Sequence, residues 1–313
     1  MAARASLWGL GGLTPVDLAK ATWQKITKDE VFERSAALSY YFLLALFPLL
    51  LFLLTMLGFF AGAGGALRQN LLTALGRAMP SDASGLVQKT ISEVVNGAGG
   101  GKAFFSLIGA LWAASAGMVS VMQMLNVAYE VKERRNFIRS RGTAVGLTVA
   151  VSILMLVAIV ITTYGGQIGQ AVAEHIGLGG AFVVAWKVIQ WPVMLAFLFG
   201  AFALTYYFGP DLDSPEWHWV SPGSAIGLVL WLAASFGIKV YLSFFNSYNK
   251  TYGSLAGVVI LMLWLYVTGI AILVGGEVNA VIGAAQERAD ERASHQRLIE
   301  REIAGWSQEK KAA

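Results

Sequence analysis

The chain alternates long apolar runs with polar connections, and this alternation indicates the fold class. Six runs are uncharged or nearly so, and each approaches the roughly 20 apolar residues that a helix needs to cross the hydrocarbon core of a bilayer. They cover approximately residues 36–60, 103–124, 142–164, 188–208, 221–245 and 254–276. The pattern predicts an all-α, polytopic membrane protein with six transmembrane helices.

The segment before the first run predicts one amphipathic helix. Thr14 and Pro15 suit the N-cap and the first helical position, and Asp17 suits the position that completes the cap. One face of this helix is apolar and comprises Val16, Ala19, Trp23 and Ile26. Two interpretations stay open: the helix lies on the membrane surface, or it packs on the protein itself.

Two further segments lie outside the predicted spans. Residues 62–102 carry helical apolar stripes between the first two runs, which predicts an external helical segment. Residues 283–313 are charged on all sides, a pattern typical of a solvated helix or a loose tail. The predicted organisation is therefore an N-terminal segment (1–35), a transmembrane domain (36–282) and a charged tail (283–313).

Composition supports the membrane assignment, and charge placement adds an orientation. Hydrophobic residues make up 56% of the chain and charged residues 13%, with a mean hydropathy of +0.61, whereas a soluble domain has about 25% charged residues. Sixteen of the 23 Lys and Arg residues lie in the N-terminal segment, the second connection and the C-terminal tail. Because positively charged loops stay in the cytoplasm, both termini are predicted to be cytoplasmic.

Two ionisable residues, Lys239 and Glu277, fall within or at the end of predicted spans, and such residues are functional candidates by default. At about 1.5 Å per residue their depths differ by roughly 20 Å, so no direct contact is expected. The expected partners of Glu277 are the inner-face cations Arg34, Lys132 or Arg135. Alternatively, Glu277 is salt-bridged for packing, and Lys239 extends to the outer headgroups.

Other polar or aromatic residues of the spans are candidates for substrate binding. Pro48 should kink the first span and free backbone carbonyls, while Tyr40 also fits an aromatic belt. Gln123 and Asn126 end the second span, where amides usually bond a neighbouring helix. The turn before the sixth span and the end of that span complete the set: Tyr248, Asn249, Tyr252, Glu277 and Asn279.

The sequence carries no recognisable enzyme signature. Its histidines, His175, His218 and His295, lie in separate connections without metal-ligand spacing, and cysteine is absent. It has no phosphate-binding loop, nucleophile elbow or dinucleotide fingerprint. The basic segments hold too few aromatic residues for a single-strand binding platform. We therefore expect no catalytic residue, metal site, cofactor or nucleic-acid partner.

Several motifs together carry a family resemblance. They are the stretch Ala36–Phe42 followed by Phe47–Pro48, Trp231, the turn Tyr248–Leu255, and Gly275-Gly-Glu277-x-Asn279. They resemble the YihY/BrkB family over roughly residues 23–282. The resemblance implies a six-helix protein of the bacterial inner (plasma) membrane, related to virulence or serum-resistance factors.

Many members of that family carry the inherited label "ribonuclease BN". The residues that carry the resemblance give this label no support, because a nuclease would need metal-binding acids or histidines clustered on the water side. A ribonuclease is therefore the third and least favoured hypothesis.

Two functional classes are favoured over it. In the first, the protein transports or flips an envelope lipid or another amphipathic or anionic solute, with membrane lipids as its surroundings. In the second, the bundle is a non-transporting scaffold or envelope-integrity factor, and the same polar residues lock the helices together. A polar-lined cavity would favour the first class, and a dry apolar core the second.

Overall fold

The fold is helical throughout the described part of the chain. A computed structural model describes residues 7–60, 100–176, 180–213, 215, 217–244 and 255–312. The α-helices in these ranges follow a short 3-10 helix, Leu7–Gly12, and are α1 (Pro15–Lys28), α2 (Val31–Phe60), α3 (Gly100–Ala128), α4 (Phe137–Ile176), α5 (Gly180–Phe208), α6 (Pro222–Phe244) and α7 (Leu255–Ala312). The prediction of an all-α fold is confirmed.

Most predicted spans coincide with helices that are able to cross a membrane. Within the described residues, five helices are long and apolar enough to do so, and these are α3 to α7. The first predicted span lies in α2, which continues through Pro48 over 30 residues. Because side chains near the end of α2 fall outside the described part, the total of six spans stays a prediction. The predicted external segment 62–102 lies almost entirely outside the described residues.

Helix α7 is the centre of the bundle. It packs against α1, α2, α3 and α6 and against the 3-10 helix. Five helices, α1, α2, α3, α5 and α7, meet in one buried apolar cluster, which comprises Ile26, Val31, Leu38, Val121, Leu125, Tyr206, Leu273 and Val274. Side chains that pack closely hold membrane helices together through van der Waals contacts, so this cluster fixes the end of the bundle at which α1 lies.

Helices α6 and α7 approach closely because glycines face each other. A Cβ atom added to Gly223 would overlap the carbonyl oxygen of Gly275, so neither position has room for a side chain. Farther along α6, Trp231 Nε1 donates a hydrogen bond to Thr268 Oγ1 of α7 at 3.0 Å. Close backbones joined by side-chain hydrogen bonds are the usual means of fixing two membrane helices together.

The start of α1 follows the sequence prediction. Thr14 is the N-cap, and its hydroxyl oxygen accepts a hydrogen bond from the backbone N–H of Asp17 at 3.2 Å. The same hydroxyl donates to the Asp17 carboxylate at 2.6 Å. The backbone N–H of Asp17 and the hydroxyl group of Thr14 thus both have local hydrogen-bond partners, and this cap sets where the helix begins.

Of the two interpretations left open by the sequence of α1, packing on the protein is shown, and a position at the membrane surface stays a prediction. Leu18, Thr22 and Ile26 are buried against the protein, whereas Val16 and Trp23 are 61% and 62% exposed. One face therefore packs on the bundle, and a second, apolar face points outward, as expected of a helix at a membrane interface.

The sixth predicted span and the charged tail form one helix. Helix α7 runs for 58 residues without interruption, and the described side chains from Glu287 onward are exposed. Of the two alternatives for the tail, the solvated helix is the correct one.

Candidate functional site

Polar groups converge at the end of the bundle where α1, the α3–α4 connection and the α5–α6 connection meet. Asn126 Nδ2 donates to Glu133 Oε2 at 3.0 Å, and Asn126 Oδ1 accepts from the backbone N–H of Asp211 at 2.8 Å. Arg135 donates to Glu133 Oε1 at 2.6 Å and to the carbonyl of Gly209 at 2.8 Å. The hydrogen bond from Arg135 holds the pKa of Glu133 below its usual value. These contacts join the two connections.

A second network surrounds Asn279 on α7, and we call it the Asn279 clamp. Asn279 Oδ1 accepts from the backbone N–H of Gly223 at 2.9 Å, and its Nδ2 donates to Ser221 Oγ at 2.9 Å. Ser221 and Ser224 then exchange backbone-to-side-chain hydrogen bonds of 2.9 and 3.0 Å. The side-chain amide of Asn279 therefore caps the start of α6 from the neighbouring helix.

Two residues earlier on α7, Glu277 enters a cluster of charges. Lys25 Nζ lies 3.7 Å from Glu277 Oε2, 3.4 Å from Asp29 Oδ2 and 3.4 Å from Glu130 Oε1. Lys28 Nζ contacts the same Glu130 oxygen at 2.7 Å. We call these five residues the acid–lysine cluster.

The expected partners of Glu277 were wrong. Its cation is Lys25 of α1, rather than Arg34, Lys132 or Arg135. Arg34 donates to the backbone carbonyl of Asp29 at 2.7 Å, and Arg135 forms an ion pair with Glu133. The reason is tertiary: α1 packs across α7 and brings Lys25 over Glu277, which no count of residues along the spans reveals.

Two oxygens of the acid–lysine cluster lack hydrogen bonds. Glu277 is 1% exposed and Asp29 is 8% exposed. Glu277 Oε2 and Asp29 Oδ2 are buried without a hydrogen-bond partner, although buried polar groups are normally satisfied. Their only polar neighbour among the contacts above is Lys25, at ion-pair distance.

Glu130 holds an unusual backbone conformation at the rim of this cluster. Its φ of 54° lies in the left-handed region, which costs a residue other than glycine about 1 kcal/mol or more. The hydrogen bond from Lys28 holds the pKa of Glu130 below its usual value, and the same contact raises the pKa of Lys28. The carboxylate thus makes contacts that a glycine at this turn could not make.

A cavity of about 490 Å³ lies beside the cluster. It is bordered by the end of α3, by α5, by the α5–α6 connection and by α7. Its carboxylates are Glu130, Asp213, Glu287 and Asp290, and its tyrosines are Tyr129, Tyr206 and Tyr207. Among the described residues that line it, none is Lys or Arg. The cavity is polar, aromatic and acidic.

Tyr129 and Asn279 both line the cavity. Glu277 is two residues before Asn279 on α7. Asn279 of the clamp and Glu130 of the acid–lysine cluster line the cavity, whereas Glu277 does not. The Asn279 clamp and the acid–lysine cluster therefore share one boundary.

The other predicted site residues lie elsewhere. Asn126 belongs to the network of the two connections. Tyr40 is 53% exposed on α2, Gln123 is exposed on α3, and Pro48 is partly buried within α2. These three do not line the cavity, and Tyr40 packs edge-on against Tyr41 at 5.8 Å, an arrangement compatible with an aromatic belt. Tyr248, Asn249 and Tyr252 lie outside the described residues.

Sequence reasoning missed several members of the site. Lys25 and Asp29 are four residues apart and form an ion pair, a spacing that places them on one face of α1. Ser221 and Ser224 have the spacing of a helix cap. These signals were readable as local structure, but nothing in them indicates that α7 would supply the partners.

Comparison with known proteins identifies the family. A family model described as "Virulence factor BrkB" matches residues 22–299. The chain belongs to the virulence factor BrkB family. It is 34% identical to "Putative ribonuclease-like protein YfkH" of Bacillus subtilis, over 88% of this chain and 98% of that protein.

Relatives named as membrane proteins also match almost the whole BrkB-family chain. A UPF0761 membrane protein of Vibrio parahaemolyticus is 28% identical over 90% of this chain and 88% of its own length. One of Vibrio campbellii is 27% identical over 86% and 82%, respectively. No solved structure matches the chain. The resemblance seen in the sequence motifs is confirmed, and the chain is a polytopic membrane protein.

Proposed function

We propose that this protein transports or flips an envelope lipid or an amphipathic solute across the bacterial inner membrane. The observation that carries the proposal is the cavity of about 490 Å³ at one end of the apolar bundle. Ligand sites are typically concave, partly aromatic, and supplied with a few convergent polar groups, and this cavity has that character.

Buried polar chemistry beside the cavity adds support. The acid–lysine cluster places Glu277, 1% exposed, at the end of a membrane-crossing helix. Charged groups in such positions are costly and commonly belong to transport pathways. A bundle built only to hold its helices together would be equally well served by an apolar core.

The charge of the cavity refines the expected substrate. Its lining contributes Glu287 and Asp290, besides Glu130 and Asp213, which pair with Lys28 and Arg134. A concave acidic surface raises the local concentration of cations. We therefore favour an amphipathic substrate with a cationic group over the anionic substrate expected from sequence. The tyrosine faces would add cation–π attraction.

The proposed orientation follows from charge placement. Arg134 of the basic α3–α4 connection pairs with Asp213 of the acidic α5–α6 connection at 2.6 Å, so both connections lie at the same end of the bundle. Because positively charged loops remain in the cytoplasm, this end, the cavity and both termini are placed on the cytoplasmic side in our proposal.

The test is binding followed by transport. Purified protein in detergent would be heated with dodecyltrimethylammonium, with dodecyl sulfate and with fluorescent phospholipids, because a ligand bound to the folded state raises the melting temperature. We expect the cationic amphiphile to stabilise wild type more than the anionic one does. Asp290→Asn should lower that stabilisation, and Glu291→Gln should leave it unchanged. Asp290 lines the cavity, whereas its exposed neighbour Glu291 does not.

Reconstituted vesicles then separate a transporter from a scaffold. Wild type should accelerate transbilayer movement of a ligand found by binding, and Asp290→Asn should slow it. A protein that binds none of the amphiphiles and moves no fluorescent lipid would favour the scaffold, in which the Asn279 clamp simply locks α6 to α7. The name of YfkH motivates a ribonuclease assay as well, although we propose no catalytic step and no cofactor.

A further inference from the structure

We propose that Asp29 and Glu277 form a proton-binding site, in which one proton is shared between the two buried carboxyl groups. The inference goes beyond the proposed function and does not depend on it, because it concerns the resting protein without substrate. It rests on the charge balance of the acid–lysine cluster, on its two unsatisfied oxygens and on its position beside the cavity.

The charges of the cluster do not balance when every group is ionised. Lys25 and Lys28 face three carboxylates, those of Asp29, Glu130 and Glu277. The formal charge is then minus one, in a place where Glu277 is 1% exposed and Asp29 8%. An uncompensated buried charge is strongly unfavourable, and one added proton makes the cluster neutral.

The same proton satisfies both orphaned oxygens. Glu277 Oε2 and Asp29 Oδ2 are buried without hydrogen bonds, and both face the same ammonium group, that of Lys25, at 3.7 and 3.4 Å. Two carboxylates offer only acceptors, whereas a protonated carboxyl group has one O–H donor. A proton on either group therefore creates the missing donor and joins the two oxygens.

Among the described residues around the pair, no other group takes this role. From α1 the pair faces Lys25 and Lys28, which lie against Glu130. From α2 it is approached by Arg34, whose guanidinium is engaged by the Asp29 backbone carbonyl and by Glu30.

The remaining packed elements contribute hydroxyl groups. Tyr129 follows α3 and lines the same cavity as Asn279, and Tyr206 of α5 donates to the carbonyl of Ile272 at 2.9 Å. The described part of α6 facing this region presents Ser221 and Ser224, which bond each other. None of these groups balances the negative charge of the cluster.

A route from water to the pair runs through Glu130. This residue lines the cavity, and its Oε1 lies 3.4 Å from Lys25 Nζ, which in turn lies 3.7 Å from Glu277 Oε2. A chain of polar groups with short steps is the arrangement that proton relays use in membrane proteins. The pair is thus buried, yet Lys25 links it to Glu130, which lines the cavity.

The experiment is infrared difference spectroscopy of the purified protein at neutral pH, without any amphiphile. A protonated carboxyl group gives a carbonyl band that moves in heavy water, and an ionised carboxylate does not give this band. Wild type should show the band. Glu277→Gln and Asp29→Asn should each abolish it, because either amide leaves two carboxylates facing the two lysines, and the cluster is then neutral without the proton. Glu133→Gln is the matched control, since Glu133 is ion-paired at the same end with Arg135 at 2.6 Å, and the band should persist.

Thermal melting provides the second readout. Glu277→Gln supplies an N–H donor for Asp29, so its melting temperature should stay close to that of wild type. If the proton resides mainly on Asp29, Asp29→Asn should instead be the variant that melts like wild type. The proposal is overturned if wild type lacks the band, if either variant retains it, or if both variants melt far below wild type. If Glu277→Gln does not fold, the Asp29→Asn spectrum decides alone: a persisting band rejects the proposal. Loss of amphiphile binding with an intact band would reject only the proposed function.

Discussion

The Asn279 clamp and the acid–lysine cluster each include one buried polar residue of α7, Asn279 and Glu277, two positions apart. The two residues differ in whether their polar atoms have hydrogen-bond partners. The amide of Asn279, 5% exposed, has both its oxygen and its nitrogen hydrogen-bonded. Glu277, 1% exposed, has an oxygen with none. A satisfied buried network holds a unique structure, while an unsatisfied one stores free energy that a bound proton or a movement can release. From this comparison we expect the clamp to hold α6 against α7 and the cluster to bind the proposed proton.

The largest expected effect comes from breaking the clamp. Asn279→Ala removes the acceptor of the Gly223 N–H and the donor to Ser221 Oγ. The Gly223 N–H then loses its partner, whereas Ser221 Oγ keeps the hydrogen bond from the Ser224 N–H. We expect a loss of about 3 kcal/mol in the free energy of unfolding, since an orphaned buried group costs about 1–3 kcal/mol and the hydrogen bond to Ser221 is lost as well. Thermal melting in detergent measures it. Gln123→Ala, at an exposed position of α3, is the control and should melt like wild type; equal losses in the two variants would refute the architectural role.

A smaller effect is expected in the cluster. Lys25→Met removes the cation that faces Asp29 and Glu277. Removing one partner of a buried ion pair usually costs about 3–5 kcal/mol, but we expect about 2 kcal/mol here, because a shared proton already neutralises one carboxylate. In the double variant with Glu277→Gln, part of that loss should remain, because Asp29 still lacks its cation.

Lys28→Met is the matched control for that prediction. Its ammonium pairs with Glu130 at the surface, where both side chains are more than half exposed. Exposed pairs contribute little, so its melting temperature should not move measurably. If Lys28→Met cost as much as Lys25→Met, burial would not be what distinguishes the two lysines, and the comparison would lose its basis.

The smallest expected effect is a pH dependence at the satisfied network of the two connections. Arg135 lowers the pKa of Glu133 in the folded state, so the folded protein binds fewer protons there than the unfolded chain. The resulting stability is present above the ordinary Glu pKa of about 4.3 and is lost as the pH falls through the lowered value. Glu133→Gln should therefore show a smaller drop in melting temperature between about pH 6 and about pH 3.5.

Glu287→Gln, at an exposed position of α7, should retain the full drop. An unchanged acid sensitivity in Glu133→Gln would mean that the ion pair with Arg135 contributes no pH-dependent stability.

The sequence predicted the elements of this fold well, because its strongest signals are local. Apolar runs located the helices that cross the membrane, and Thr14 with Asp17 located the start of α1. The continuity of α7 was harder to predict. The sequence left open whether residues 283–313 form a solvated helix or a loose tail, but no proline follows Gly283 and its backbone stays helical. Helix formation depends on the backbone, and a change of solvent alone does not end it.

The site was predicted only in part, because its contacts are long-range. Glu277 and Asn279 stood out as polar residues at the end of an apolar run. Lys25 lies more than 250 positions earlier in the chain. It becomes the partner of Glu277 only because Leu18 and Ile26 are buried against the bundle and hold α1 next to α7. Depth along the membrane normal was the available measure, and it does not report which helices are neighbours.

The length of α7 gives the polar end of the bundle a mechanical reach. From Glu277 the helix continues to Ala312, a further 35 residues or about 52 Å at 1.5 Å per residue. A tilt of about 5° at Glu277 would move the far end of this rod by about 4–5 Å. A proton gained or lost at Glu277 would therefore act near the base of this exposed part of α7. A small change in helix direction there would produce a much larger displacement at the C-terminal end of the helix.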